Sequence, residues 1–268
     1  MPEGRLVIGT RRYSSWSLRG WLPVRLASLD VEEMVIPIAR GATQAIREGT
    51  PSGTVPYLEH RGVRVWESLA IAEYCAEISP SLWPSERGAR AWARAIAAEM
   101  HAGFGALRRT MPMNVGRTGL APAAEARADI ARIDAIWREA LSVSGGPFLF
   151  GAGFGNADAM YAPVVWRFLT YRPDLTAQSL AYCEAVRAHR AGAFGACVAA
   201  LRPVLGAMAG LGGSHAQQDV LEQLFLDAAL RAGQEGDVRL ALERVAGRRV
   251  LPPSRWIGYR DAAVRFPL

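Results

Sequence analysis

The spacing of hydrophobic and polar positions changes near residue 80 of this 268-residue chain. Before that point, short apolar runs alternate with stretches whose apolar residues recur every three or four positions, which predicts alternating strands and helices. Pro37 cannot donate a hydrogen bond to a sheet, so the second strand is expected at an edge. The predicted order is strand 6–8, helix 15–27, strand 33–38, helix 43–48, a hairpin over 57–59 and 63–66, and helix 69–78.

After a Pro- and Ser-rich linker at residues 79–84, the pattern is helical. Apolar residues keep helical spacing from Trp92 to Leu107, which predicts one long helix there. Further helices are predicted around residues 130–141, over 179–190 and over 193–205.

We therefore predict an α/β domain over residues 1–80, an all-helical bundle domain over 88–205 and a helical extension over 206–268. The extension contains the apolar faces of one helix pair, faintly similar to a single tetratricopeptide unit. Such a pair cannot bury its own face, so it is expected to dock on the main body or on a partner. Its role is not indicated by any chemical motif.

Charge and composition narrow the function classes. The net charge is +6, and the sequence contains arginine but no lysine. Without Lys, a Walker-type phosphate loop and a lysine Schiff base are excluded. The arginines are dispersed among acidic residues, which argues against nucleic-acid binding but favours an anionic small substrate. No apolar run is long enough to span a membrane and the N-terminus lacks a signal-peptide pattern, so a cytoplasmic protein is expected.

Cysteine and histidine spacing does not indicate a metal site. The three cysteines are far apart in sequence and the four histidines are scattered. Neither a disulfide framework nor a zinc motif is therefore predicted, and the cysteines are expected to be small core residues.

The turn after the first strand is the first candidate for chemistry. Arg11 and Arg12 precede Tyr13-Ser14-Ser15-Trp16-Ser17, which opens a helix. A helix start offers unpaired amide N–H groups and a positive dipole end, which favour an anion or a thiolate. Taken alone, the serines favour the interpretation as an ordinary helix cap, since Ser is a preferred N-cap residue.

Two later segments add polar groups. Pro56 opens a strand, which indicates a tight turn and a candidate cis bond. Such a turn would leave the backbone of Val55 free to pair with an extended ligand. Glu67 and Ser68 precede a helix directly after the hairpin, with Ser68 as the predicted N-cap, and they suit the amine and carboxylate of a ligand.

Together, these segments resemble the cytosolic glutathione transferase family. The matching pieces are Tyr13-Ser14-Ser15-Trp16-Ser17, Ser52-Gly53-Thr54-Val55-Pro56-Tyr57-Leu58 and Trp66-Glu67-Ser68-Leu69-Ala70-Ile71-Ala72-Glu73-Tyr74. The resemblance covers residues 5 to about 205. It implies a thioredoxin-like N-terminal domain, a helical C-terminal domain, glutathione as co-substrate without a metal, a small electrophilic acceptor, a role in detoxification and a homodimer.

The resemblance also assigns site residues. Ser14 aligns with the active hydroxyl and Ser15 is the next candidate, while Ser17 and Arg12 join the glutathione-binding set. Val55 and Pro56 would bind the cysteinyl backbone, and Glu67 and Ser68 the γ-glutamyl end. The serine turn is closest to the zeta class, but Trp16 replaces its Cys. A glutathione-dependent isomerase of the maleylacetoacetate type and a non-catalytic binding protein therefore stay open as alternatives.

The glycine-rich segment from Gly151 to Asp158 opens another helix. A dinucleotide fingerprint would need different glycine spacing and a parallel βαβ unit. The family instead places a capping box here, with Ser or Thr three residues before Asp. Gly155 takes that place in this chain, so half of the box is missing, and Asp158 is expected to serve folding.

Overall fold

A four-stranded mixed sheet forms the centre of the N-terminal part. A computed structural model describes residues 1–37, 43–115 and 117–190, together with Val238 and Leu240. The sheet order is β2-β1-β3-β4, with β1 parallel to β2 and antiparallel to β3, and β3 antiparallel to β4. The strands are β1 (Gly4–Gly9), β2 (Glu32–Ile36), β3 (Tyr57–His60) and β4 (Val63–Trp66).

Eight α-helices lie within the described residues, in the order that the sequence pattern predicts for an α/β domain followed by a helical part. Two short 3₁₀ turns, Pro80–Leu82 and Ala124–Ala126, accompany them. The helices are α1 (Ser15–Leu26), α2 (Thr43–Gly49), α3 (Ser68–Ile78), α4 (Arg87–Ala102), α5 (Gly105–Thr110), α6 (Arg127–Ser144), α7 (Asn156–Tyr171) and α8 (Ala177–Arg190).

The buried core of the sheet explains why short apolar runs predict its strands. Leu6 and Ile8 of β1 are fully buried, as are Leu18 of α1, Leu58 of β3 and Ile71 of α3. Helices α1 and α3 pack against each other. The thioredoxin-like N-terminal domain and the helical part that follows it are confirmed, and β2 is an edge strand, as Pro37 indicated.

The chain divides into two compact units. The first comprises residues 1–138 and 154–176. The second begins with residues 139–153 and continues from residue 177, and the structure describes it as far as residue 190 with Val238 and Leu240. The domain boundaries proposed from the sequence stay predictions. The predicted helix 193–205 lies outside the described residues, as does the extension 206–268 except for Val238 and Leu240.

The single helix predicted from residue 92 to residue 107 is wrong. Helix α4 ends at Ala102, and α5 begins at Gly105 after Phe104, whose φ of 60° is left-handed. Met100, Phe104 and Leu107 are nevertheless all buried. The pattern of buried residues therefore continues across the break between α4 and α5. For this reason, apolar spacing alone does not predict the break.

The missing hydroxyl at residue 155 has a steric cause. The Asp158 carboxylate accepts a hydrogen bond from the Gly155 amide at 2.9 Å, so the acidic half of the capping box is present. A Cβ atom on Gly155 would lie 2.9 Å from the Leu82 carbonyl oxygen, which is backbone and cannot swing away. Glycine therefore permits the close approach of the residue 82 backbone to the start of α7.

Completing the capping box with Gly155→Ser is expected to destabilise the protein. The new hydroxyl would gain a cap hydrogen bond, but the Cβ clash forces a backbone shift that costs about 1–3 kcal/mol. Thermal unfolding of Gly155→Ser and wild type measures the difference. An increase in melting temperature for Gly155→Ser would contradict the steric explanation.

Candidate active site

Sheet register places the three sequence motifs at one end of the sheet. Val7 of β1 is paired with Tyr57 of β3, and Tyr57 with Trp66 of β4. The chain therefore leaves β1 for the serine turn at the end where Val55-Pro56 enters β3 and where Glu67 follows β4. Motifs separated by about fifty residues are neighbours because the hairpin folds back on β1.

The serine turn is held by a closed set of hydrogen bonds. Ser14 is the N-cap of α1: its Oγ accepts the Ser17 amide at 3.2 Å and donates to Ser17 Oγ at 2.9 Å. Ser17 Oγ also accepts the Gly9 amide at 2.8 Å, and Ser17 is fully buried. Ser17 thus ties the end of β1 to the first turn of α1, and its hydroxyl oxygen is engaged within the protein.

Ser15 is the first residue of α1 and is half-buried. Its Oγ accepts a hydrogen bond from Arg167 Nη2 at 3.3 Å. Among the described residues, the Ser15 and Trp16 amides donate no hydrogen bond. These two amides are the unpaired donors expected at a helix start, where the helix dipole favours an anion.

The Val55–Pro56 peptide bond is cis. The Val55 amide and carbonyl make no hydrogen bond with any described residue, so both remain available to an extended ligand. Gly20 of α1 packs directly on the proline ring, because a Cβ atom there would come within 2.5 Å of Pro56 Cγ. The absence of a side chain at residue 20 lets α1 approach the turn this closely.

Helix α3 begins one residue earlier than the sequence predicts. Glu67, and not Ser68, is the N-cap residue of α3, and Ser68 is the first helical residue. Glu67 has a φ of 70°, which is rare for a residue other than glycine and typical of functional positions. Ser68 is fully buried and its Oγ has no hydrogen-bond partner among the described residues. An unpaired buried hydroxyl is costly unless a ligand engages it.

Of the two arginines before the turn, only Arg12 is available to a ligand. Arg11 forms an ion pair with Glu33 and lies over the Trp21 ring at 4.9 Å. Arg12 is exposed, and its side chain makes no hydrogen bond or ion pair with a described residue.

Behind the serine turn lies a cluster of three arginines that sequence reasoning missed: Arg19 of α1, Arg108 of α5 and Arg167 of α7. We call it the arginine cluster. The guanidinium carbons of Arg19 and Arg108 lie 4.9 Å and 4.6 Å from the Trp16 ring centroid. None of the three arginines forms an ion pair with a carboxylate in the part of the chain that the structure describes.

Within the arginine cluster, Arg19 is short of hydrogen-bond acceptors. Arg19 is 1% exposed; its Nε donates to the Met160 carbonyl at 2.8 Å, while its Nη1 and Nη2 are buried without a partner. Burial, together with Arg167 and Arg108, holds the pKa of Arg19 well below its usual value. Burial and Arg108 lower the pKa of Arg167 to about 10, so Arg167 is still protonated at neutral pH. Concentrated positive charge of this kind favours an anionic ligand.

His101 at the end of α4 borders the same region. Its ring contacts Trp16 edge-on, with centroids 5.2 Å apart, and its Nε2 lies 3.8 Å from the Glu67 carboxylate. Burial is the main reason that the pKa of His101 is lowered, and Arg19 and Arg108 add to the effect. At neutral pH, His101 is therefore a neutral ring between the Glu67 side chain and the arginine cluster.

Cys75 is not a candidate nucleophile of this site. It is fully buried in α3, and burial raises the pKa of its thiol to about 12. A thiol with that pKa is almost wholly protonated at neutral pH and is a poor nucleophile. Among the described residues, no group of three or more His, Cys, Asp or Glu could hold a metal ion, and no helix is long and apolar enough to cross a membrane.

Comparison with known proteins supports the resemblance of the N-terminal part to glutathione transferases. Residues 13–78 match the family model described as glutathione S-transferase, N-terminal domain. This range includes the serine turn, Val55-Pro56 and Glu67-Ser68. A search of curated proteins found no match.

Solved structures of similar fold come from several classes of the family. A glutathione transferase homolog from Burkholderia GL BGR1, solved with bound glutathione, is 21% identical, with a TM-score of 0.53 over 69% of this chain and 90% of that chain. The theta class enzyme of Xanthomonas axonopodis pv. citri with glutathione bound is 24% identical, with a TM-score of 0.52 over 69% and 93%. A zeta class maleyl pyruvate isomerase, described as a bacterial glutathione S-transferase, is 23% identical, with a TM-score of 0.53 over 68% and 91%.

At these identities the structural likeness is one of fold, and it does not distinguish a class. The matched domain range contains the three motifs that lie at one end of the sheet. Residues 13–78 are therefore similar to the N-terminal domain of glutathione S-transferases, and the fold of the chain is similar to that of solved members of that family.

Proposed function

We propose that this protein is a glutathione transferase that binds glutathione across the end of the sheet and joins its thiolate to a small electrophile. The observation that carries the proposal is a set of polar groups at that end that have no partner among the described residues. They are the Ser15 and Trp16 amides, the Val55 backbone and the buried Ser68 hydroxyl. Each suits one part of an extended tripeptide: the sulfur, the cysteinyl backbone and the γ-glutamyl carboxylate.

The chemistry begins with loss of the thiol proton to solvent. Free thiols have a pKa of ~8.5, so the thiol of most glutathione molecules is protonated at neutral pH. Amide donors, a serine hydroxyl and the positive end of α1 all favour the thiolate, and each unit of pKa is worth about 1.4 kcal/mol. The thiolate then attacks an electrophilic carbon of the acceptor. Arg12 would bind the glycyl carboxylate, and a homodimer is proposed, as is usual for the family.

Calorimetric titration with glutathione, followed by an assay with a halogenated aromatic acceptor, tests this function. We expect saturable binding, an increase in melting temperature that grows with glutathione concentration, and conjugate formation that consumes one thiol per acceptor. Absence of both binding and thermal shift would reject the proposal. Binding without turnover of any acceptor would favour a non-catalytic binding protein.

The arginine cluster favours a second candidate, a glutathione-dependent cis-trans isomerase of a maleyl-type diacid. Three guanidiniums that form no ion pair with a carboxylate of the described residues would hold the acceptor's carboxylates beside the thiolate. The thiolate would add to the double bond, the new single bond would rotate, and elimination would return glutathione. Isomerisation leaves the free thiol concentration unchanged while conjugation lowers it, so thiol titration during turnover separates the two activities.

A further inference from the structure

The hydroxyl proton of Ser14 is already used within the protein. Ser14 Oγ donates to Ser17 Oγ at 2.9 Å while accepting the Ser17 amide at 3.2 Å. A hydroxyl has one proton. Turning it toward a ligand sulfur would break the contact with Ser17 that helps hold the turn to β1.

Ser15 has the opposite arrangement. Its Oγ accepts from Arg167 Nη2 at 3.3 Å, and its own proton has no acceptor among the described residues. It also carries the first unpaired amide of α1, and Trp16 carries the second. Three donors from two consecutive residues are therefore available at the positive end of the helix.

Arg167 is held so that it can act on Ser15. It is 4% exposed, its Nε donates to the Met111 carbonyl at 2.8 Å, and its Nη1 donates to the Pro163 carbonyl at 3.1 Å. These two bonds fix the plane of the guanidinium and direct Nη2 to the hydroxyl. A cation that donates to a hydroxyl oxygen polarises its O–H bond, which makes the hydroxyl a stronger donor.

We propose, on the basis of the glutathione site described above, that Ser15 is the catalytic hydroxyl that donates to the glutathione thiolate. Arg167 is the positioning residue that orients and polarises it, and Ser14 caps α1. The thiol proton leaves to solvent, and the thiolate accepts the Ser15 hydroxyl and the free amides of the first turn. The family resemblance assigns this role to Ser14, and the hydrogen-bond pattern transfers it to the next residue.

The ultraviolet absorbance of the thiolate measures the pKa of bound glutathione directly, in the full-length protein at saturating glutathione. The main comparison is Ser15→Thr with Ser15→Val, which have the same shape and differ in the hydroxyl. We expect Ser15→Thr to keep the bound-thiol pKa near the wild-type value. Ser15→Val is expected to raise it by about one unit, which is a tenfold fall in the ratio of thiolate to thiol at any given pH.

Two further variants separate the neighbouring roles. Arg167→Gln is expected to raise the bound-thiol pKa by about half a unit, and Arg167→Lys to restore part of the shift because it keeps the charge. Ser14→Gly removes the other hydroxyl but keeps most of the cap. It is expected to lower the melting temperature slightly without moving the bound-thiol pKa.

The outcomes distinguish this inference from the proposed function. If wild type fails to bind glutathione in calorimetry, the proposed function and this inference both fall. If glutathione binds but Ser14→Gly raises the thiol pKa while Ser15→Val does not, the inference alone is overturned. An unchanged thiol pKa in Arg167→Gln would reject the role of Arg167.

Discussion

Replacing Arg19 with methionine is expected to leave the free protein as stable as wild type or about 1–2 kcal/mol more stable. Arg19 is buried beside Arg108 and Arg167, and two of its guanidinium nitrogens have no partner in the described structure. Exchanging a buried, poorly satisfied charge for an apolar side chain of similar length is often neutral or stabilising. The losses are the hydrogen bond from Nε to the Met160 carbonyl and the contact of the guanidinium with the Trp16 ring. Urea denaturation monitored by circular dichroism measures the difference.

The matched control is Arg94→Met, which also removes an arginine near a tryptophan. Arg94 is half-exposed, is paired with Glu73 and lies 5.8 Å from the Trp83 centroid. Its loss is expected to change stability by no more than about 0.5–1 kcal/mol. A destabilisation of more than about 2 kcal/mol in Arg19→Met would contradict the argument, because it would mean that the Arg19 charge is well satisfied in the free protein.

Arg19→Met is also expected to remove the stabilisation of the protein by a bound dicarboxylate. In wild type saturated with glutathione, a dicarboxylate such as maleate is expected to raise the melting temperature, since a ligand at 100 times its Kd contributes about 2.7 kcal/mol. In Arg19→Met this increase should largely disappear, while the shift caused by glutathione remains. If Arg19→Met kept the full increase in melting temperature caused by the dicarboxylate, Arg19 would not take part in acceptor binding.

The parts of the site that the sequence predicted are those whose chemistry is local. A strand followed by serines predicts a helix start, and Val55-Pro56 and Glu67-Ser68 each carry their signal within two residues. The sheet then brings the three segments to one end because the hairpin pairs with β1. Their individual roles toward glutathione stay predictions.

The arginine cluster depends on contacts between residues up to about 150 positions apart, which no local pattern specifies. A usable signal was nevertheless present. Arg19 lies on a helix between apolar residues, and Arg167 interrupts the apolar run from Val164 to Phe168 of α7. A lone charge on the apolar face of a helix predicts either a buried partner or a ligand. The clash that keeps Gly155 is different, because it depends on the backbone of residue 82 and leaves no trace in the sequence.

Replacing Ser68 with alanine is expected to weaken glutathione binding at least about tenfold without lowering the stability of the free protein. The Ser68 hydroxyl is fully buried and has no partner among the described residues, so its removal leaves no other group unsatisfied. When the γ-glutamyl carboxylate binds, the same hydroxyl would make a hydrogen bond to a charged group, worth about 1.5–3 kcal/mol. Calorimetric titration with glutathione and thermal unfolding of the free protein measure the two effects separately.

A loss of affinity without a loss of stability identifies a binding residue, because replacement of a residue that serves folding lowers stability and affinity together. Ser81→Ala is the control: Ser81 is exposed, and its replacement should change neither quantity. A clear drop in the melting temperature of free Ser68→Ala would mean that the hydroxyl has a partner within the protein. In that case Ser68 would contribute to the fold of α3, and the γ-glutamyl end of the proposed site would depend on Glu67 alone.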